Sequence, residues 1–368
     1  MDGPGVIVVE GQRIIAVQPE AQSQAGLPAV SGADGYAAPQ DCIVLPGLID
    51  LHAHPANSHS IFGTDPDTTM LPCGVTTVQS QGDSGADGIA EFLATTVNAS
   101  QTQVLLALNL SRIGESSQAG SFADLRNADV DRCVSVARQF PDLIRMVAVN
   151  ASHHACGDTD PRDVLRRGRL VAEQSGLPLL FGMRRPEDWP LENQLQLLRT
   201  GDVVTYCFRK SPHCIVDNGR VLPCIVDARQ RGIQFDVGHG MGSFSFEVAE
   251  AAIHAGFIPD TISTDLQNRH VGQSPRHDLP YVMSKLAAAG MSDSDIFRAV
   301  TATPASILKL DRQIGSLSIG STADIVVLEE QSGVTMSDVH GCCRTGTRFF
   351  PRCIIRNGRM TSVEQGWL

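Results

Sequence analysis

Short apolar runs recur along this chain, separated by longer stretches with helical spacing of apolar positions. The runs Leu45–His52, Gly74–Val78, Val104–Leu110, Leu143–Val149, Leu179–Phe181, Val203–Phe208, Ile233–Val237 and Thr261–Asp265 predict eight strands. Between and after them, 87–99, 123–138, 162–175, 190–199, 245–256, 278–289 and 293–301 read as helices. Strands that alternate with helices over about 250 residues predict an α/β fold, a (β/α)8 TIM barrel of parallel strands. A doubly wound open sheet is the competing arrangement, but no GxGxxG follows the first run.

The two ends of the chain have a different texture. Val6–Val9 and Ile14–Val17 flank the turn Glu10-Gly11-Gln12, a hairpin pattern. Residues 18–38 are rich in Gly, Ala, Ser and Pro and read as a loop. Near the other end, Ile325–Leu328 and Cys353–Arg359 are again β-rich. A small β-sandwich domain built from 1–44 and 318–368, beside a barrel of 45–317, is the expected organisation.

Composition narrows the classes. The chain has 368 residues, 42% hydrophobic and 19% charged, so it can bury a large core. A net charge of -11 argues against a nucleic-acid partner. No apolar run reaches the ~18 residues of a membrane span. Met1-Asp2-Gly3-Pro4 lacks the basic and apolar regions of a secretory signal, so a cytoplasmic protein is expected. The 10 cysteines form no CxxC pair, and Cys342-Cys343 are adjacent, which suits reduced thiols. A small-molecule substrate and a homo-oligomer are expected, with no membrane partner.

Candidate chemistry gathers where strands end, since a parallel barrel builds its site at that face. The first strand ends in His52 and His54, two apart and hence on one face, an arrangement suited to a divalent metal. The eighth ends in Asp265, which either binds the metal, moves a proton, or caps a helix. His239, between two glycines at the end of the seventh, is a candidate acid or a backbone-bonded histidine. Arg112 and Arg269 offer bidentate forks for an anionic substrate or for rim salt bridges. Asn150 and Tyr206, at the ends of the fourth and sixth strands, are further substrate contacts. Arg209, Lys210 and His213 read as a solvated loop.

Several segments together resemble the amidohydrolase superfamily of metal-dependent hydrolases. They are Pro46-Gly47-Leu48-Ile49-Asp50-Leu51-His52-Ala53-His54, Gly74-Val75-Thr76-Thr77-Val78, Thr303-Pro304-Ala305 and Gly320-Ser321-Thr322-Ala323-Asp324. Asn109–Gly114, Asp236–Gly240 and Pro259–Leu266 are similar to its dihydroorotase-like deacetylase branch. The resemblance implies the same barrel and end-domain architecture. It also implies six metal-binding positions, three of which look replaced. Ala148 stands where the branch has a carboxylated lysine, Gly182 and Tyr206 where it has histidines.

One divalent ion on His52, His54 and Asp265 is therefore expected, zinc first, with manganese or iron as alternatives. His153, His154, Cys207 and Asp83 are candidate substitute ligands. The expected activity is hydrolysis of an amide or ester of a small anionic molecule, with Asp265 and His239 as catalytic groups. The alternatives are a catalytically degenerate binding protein and a one-metal decarboxylase or isomerase.

Overall fold

The computed structural model describes residues 3–19, 35–39, 41–58 and 60–361. The loop expected over 18–38 falls mostly outside the described residues. Strands are numbered along the chain. At the N-terminal end are β1 (Gly5–Glu10), β2 (Arg13–Pro19) and β3 (Cys42–Pro46). The barrel strands are β4 (Leu48–Ala53), β5 (Val75–Gln81), β6 (Gln103–Asn109), β7 (Ile144–Asn150), β8 (Leu179–Gly182) and β9 (Val203–Thr205). A two-residue hairpin, β10 (Val216–Asp217) and β11 (Arg220–Val221), precedes the last barrel strand, β12 (Gln234–Phe235). The C-terminal strands are β13 (Ile325–Ser337), β14 (Cys343–Arg356) and β15 (Arg359–Thr361).

Seven strands form one parallel sheet in the order β4-β5-β6-β7-β8-β9-β12. The predicted eighth strand is an extended segment that closes the ring. Val237 N and His239 N donate to the Thr261 and Ser263 carbonyls, each at 3.0 Å. On the other side Asp265 N donates to the His52 carbonyl at 2.7 Å, and His54 N to that of Leu266 at 3.0 Å. The first and last strands thus meet through the same residues that carry the candidate chemistry.

Two cores result, as a closed sheet requires. Ile49, Leu51, Leu105, Ala107, Met146, Ala148, Leu180 and Val203 fill the barrel interior, with Leu308, Leu310 and Ile314 packed against them. The outer core lies between the strands and the helices. Burying one Leu or Ile side chain in either contributes roughly 1.5–3 kcal/mol. The helices start where the sequence supplies caps. Asp129, Asp160, Asp278 and Ser292 each accept a backbone N–H of the first turn, and Gly176 ends the helix Pro161–Ser175 at φ 71.

Two further departures from the sequence expectations concern a helix and the C-terminal strands. A helix at Pro223–Gln230 was not foreseen; its apolar face is short, with only Ile225 and Ala228 buried. The C-terminal strands are far longer than expected, because β13 and β14 form a hairpin leaning on the helix Leu279–Ala288, where Ser284 Oγ accepts Phe349 N at 2.9 Å. That hairpin belongs to an antiparallel sheet β15-β14-β13-β3, and Ile14 N of β2 donates to the Ser321 carbonyl at 3.0 Å. Both chain ends therefore meet beside the barrel. No helix among the described residues is long and apolar enough to cross a membrane.

Candidate metal centre

β4 is buried on both faces, and its alternation points His52 and His54 the same way. Asp50, two residues earlier, accepts from Thr264 Oγ1 at 2.6 Å and from Thr264 N at 3.1 Å. That bond ties β4 to the closing segment and brings Asp265 over the two rings. One ligand atom from each of His52, His54 and Asp265 lies within 4.8 Å of the others, and all three residues are buried. Asp265 has φ 50 and Tyr206 φ 69, left-handed conformations that a non-glycine residue adopts at a cost of about 1–3 kcal/mol and that gather at functional sites.

Supporting bonds fix the orientation of both rings. Thr205 Oγ1 donates to Asp236 Oδ2 at 2.8 Å, so it accepts from His52 Nδ1, also at 2.8 Å. Asp236 is itself held by Thr261 and Ser263 hydroxyls at 2.7 and 2.6 Å. His54 Nδ1 donates to Asp83 Oδ1 at 2.9 Å, and Asp83 accepts from Ser60 and Ser80 hydroxyls at 2.6 Å each. In the neutral rings, with both Nδ1 atoms protonated, both Nε2 atoms carry lone pairs. They point at Asp265 Oδ1, from 3.5 Å for His52 and 3.2 Å for His54.

Three electron-pair donors thus converge, and His52 Nε2 is buried without a hydrogen-bond partner. Such a cluster is repulsive unless a cation sits within it. Protons feel the same pull. Burial alone would depress both histidines, but Asp236 and Asp265 raise His52 to about 9, and Asp83 and Asp265 raise His54 to about 10. Burial would raise Asp265, yet the facing His52 and His54 hold it well below the usual carboxylate range. Histidines whose outer nitrogens are held by carboxylate or hydroxyl partners are the usual setting of a protein metal site. The donor set and its orphaned nitrogen fit a divalent metal.

Asp265 is also open on one side. Gln267 Nε2 donates to its Oδ1 at 3.0 Å, and a Cβ at Gly240 would sit 2.6 Å from its Oδ2. Only a glycine leaves that oxygen uncovered. A cavity of about 380 Å³ opens there, lined by Asp265, Arg209, Ser243, Arg269, His270 and Gln273 among others. That volume suits a small molecule.

Other candidates are placed differently. Gly238 and Gly240 face the site, since a Cβ at Gly238 would meet Thr205 Oγ1 at 2.1 Å. The His239 side chain is not among the three converging groups and meets Lys285 and Phe244. Its Nε2 accepts from Lys285 Nζ at 3.1 Å and its ring stacks on Phe244. Burial, then Lys285, holds it well below the usual histidine range, so it is neutral.

Arg112 is paired with Asp87 at 2.7 Å on the exposed rim and does not line the cavity. His153 pairs with Asp188 at 2.5 Å, and His154 lies against Phe62, so neither joins the converging group. Cys207 packs in the outer core with its thiol pushed up by burial. Asp83 supports His54 from behind instead of replacing a ligand. Asn150 and Tyr206 flank Gly182, where a Cβ would meet Asn150 Oδ1 at 3.1 Å and Tyr206 at 3.3 Å. The Tyr206 ring lies edge-on to His52, with centroids 5.2 Å apart.

Sequence reasoning missed three groups. Thr205 and Asp236 stand beside singled-out residues, Tyr206 and the glycine-flanked His239, but their bonds are long-range. Glu115 follows the Asn109–Gly114 segment directly; it is buried, pushed up to about 7 by burial first and then by Asp83, and bonded by Ser121 at 3.1 Å. The presumed solvated loop is not solvated at His213, which is buried, nor at Arg209, which lines the cavity.

Known proteins resemble this chain over most of its length. Residues 239–346 match the profile described as the amidohydrolase family. A deacetylase of Brucella anthropi is 32% identical over 289 residues, covering 78% of this chain and 71% of its own. A deacetylase of Enterococcus faecalis is 31% identical over 303 residues, covering 81% and 80%. The crystal structure of an adenine deaminase superposes with a TM-score of 0.89 at 28% identity, over 98% of this chain and 96% of that one. That of a dihydroorotase gives 0.85 at 28% identity, over 97% and 94%. The chain belongs to the amidohydrolase family and is a hydrolytic enzyme.

Proposed function

We propose that this protein hydrolyses an amide or ester bond of a small acidic substrate, using one divalent ion held by His52, His54 and Asp265. The single observation behind this reading is the meeting of three lone-pair donors, one of them the orphaned His52 Nε2. The names of the relatives, deacetylases, point to an acyl group as the part removed. When bound, a divalent ion supplies Lewis acidity toward a carbonyl and a water activated near neutral pH. Two histidines and a carboxylate suit zinc, and the same set also serves iron and manganese.

The chain's own groups do the rest. Asp265 Oδ2, uncovered beside Gly240, takes the proton of the attacking water and returns it to the leaving nitrogen or oxygen. The burial of Asp265 excludes competing solvent, which strengthens every charge interaction there. Arg269, over the Phe62 ring at 5.4 Å, attracts an anionic substrate into the cavity.

One ion is preferred to two because, among the described residues, only His52, His54 and Asp265 form such a converging group. Ala148 fills barrel interior, with its methyl 3.2 Å from where a Gly82 Cβ would stand. Tyr206 and Asn150 occupy the space beside Gly182.

The test is metal analysis with turnover. Protein grown with added zinc or manganese should carry close to one ion per chain and hydrolyse N-acetyl amino acids. Asp265→Asn should lose at least ~10²-fold in kcat, the lower range for a general acid–base group, with an unchanged circular dichroism spectrum. Metal content below roughly 0.1 per chain would instead favour a binding protein on a degenerate site, since metal-assisted hydrolysis needs its ion. Turnover without uptake of labelled water oxygen into product would point to different chemistry on the same scaffold.

A further inference from the structure

Arg209 follows β9 and the strained Tyr206, and its side chain is held on two sides. Its guanidinium lies over the Tyr206 ring at 5.2 Å. Its Nη1 donates to His213 Nδ1 at 3.2 Å, and His213 can accept because burial, then Arg209 itself, pushes it down to about 3 and keeps it neutral. Arg209 Nε is shielded from water and has no hydrogen-bond partner. No acidic side chain among the described residues forms an ion pair with it.

The neighbouring Lys210, by contrast, pairs with Glu247. Asp265 shares the cavity with Arg209, but its Oδ1 is taken by both histidines and Gln267. Arg269 lines the same cavity and also pairs with no acid among the described residues. Two uncompensated guanidinium groups on one small cavity, one of them pinned in place, form a receptor for an anion. A guanidinium fork fastened at one end and open at the other matches the two oxygens of a carboxylate.

We propose that Arg209 is a specificity-determining residue that binds a carboxylate of the substrate, with Arg269 as the second positive group of the same cavity. This deepens the hydrolase reading above and rests on it. Tyr206 touches both the Arg209 guanidinium and the His52 ring, so the recognised carboxylate lies close to the bond that is cleaved.

The experiment compares N-acetyl-alanine, in both enantiomers, with the matching N-acetyl-alanine amide. Metal-loaded wild type, Arg209→Gln, Arg209→Lys and Arg269→Gln are assayed on both. Wild type should favour the acid in kcat/KM by roughly 10- to 100-fold, the range of hydrogen bonds to a charged group. Arg209→Gln should lose at least ten times more on the acid than on the amide, mainly through KM. Arg209→Lys should keep part of the preference. Equal losses on both compounds, or a preference that survives Arg209→Gln, overturn the proposal.

A second readout is independent of turnover. The acid should raise the melting temperature of wild type but not of Arg209→Gln, and the amide should shift neither. If wild type hydrolyses neither compound, the hydrolase reading loses support while this binding arm still judges Arg209. Equal stabilisation of wild type and Arg209→Gln by the acid then counts against the proposal.

Discussion

His54 Nε2 stops 3.2 Å from Asp265 Oδ1, although the bond from His54 Nδ1 to Asp83 leaves both facing atoms as lone-pair donors. Without a cation, this contact and that of His52 are held by protons that both histidines retain far above their ordinary range. A bound ion replaces those protons. Metal removal should therefore leave a folded but less stable protein. Stripping with a chelator should lower stability by about 2.7 kcal/mol relative to protein held at a hundred times the metal's Kd. Differential scanning calorimetry with and without chelator measures this; identical transitions would mean that no ion is bound at this site.

Thr205 is predicted to matter more than its small size suggests. Thr205→Val keeps the shape but removes the hydroxyl between His52 Nδ1 and Asp236. Loss of such outer partners commonly costs 10- to 100-fold in metal affinity. Competition against a chromophoric chelator should show that drop, and Thr205→Ser should recover most of it. An affinity equal to wild type in Thr205→Val would remove Thr205 from the site's support.

Gly240→Ala should damage the site directly. The new Cβ would stand 2.6 Å from Asp265 Oδ2, and φ 35 at this position strains any L side chain. We expect a loss of about 1–3 kcal/mol from the backbone conformation. Turnover should fall further than stability accounts for, because the oxygen that moves the proton is the one displaced. Urea unfolding alongside kinetics separates the two effects.

His213 makes a prediction about acid. In the folded chain it is pushed down to about 3, by burial first and then by Arg209. Above pH ~6.5 it is neutral folded and unfolded, so its contribution there is constant. As pH falls below that value, the unfolded chain binds a proton that the folded chain refuses. Stability is then lost at up to about 1.4 kcal/mol per pH unit until pH nears 3. Denaturant unfolding from pH 7 to 4.5 should show a shallower slope in His213→Phe than in wild type by about that amount. Parallel slopes would show that His213 titrates normally.

Much of the architecture was legible along the chain. Alternating strand and helix patterns, with no dinucleotide fingerprint, pointed to a barrel, and the ring of parallel strands is that barrel. His52 and His54 were readable as a pair because two-residue periodicity on a strand is a local property. Asp265 was readable because catalytic groups of this fold lie at strand ends.

Direction and partnership could not be read in the same way. His239 was readable at a strand end, but not that its ring meets Lys285 while its two flanking glycines pack against Thr205 and Asp265. Arg112 left a substrate contact and a rim salt bridge equally open, and Asp87, in the turn before a helix, stands 2.7 Å from it. Arg209 and His213 looked solvated, yet Arg209 came to line the cavity and His213 to be buried behind it. Thr205 and Asp236 became the supports of His52 only when the last strands closed against the first, across 153 positions between Thr205 and His52. Residue type and local period thus determined which side chains could bind a cation. Strand register and closure of the ring determined which of them meet, because such contacts join residues far apart in sequence and depend on which face each strand turns inward.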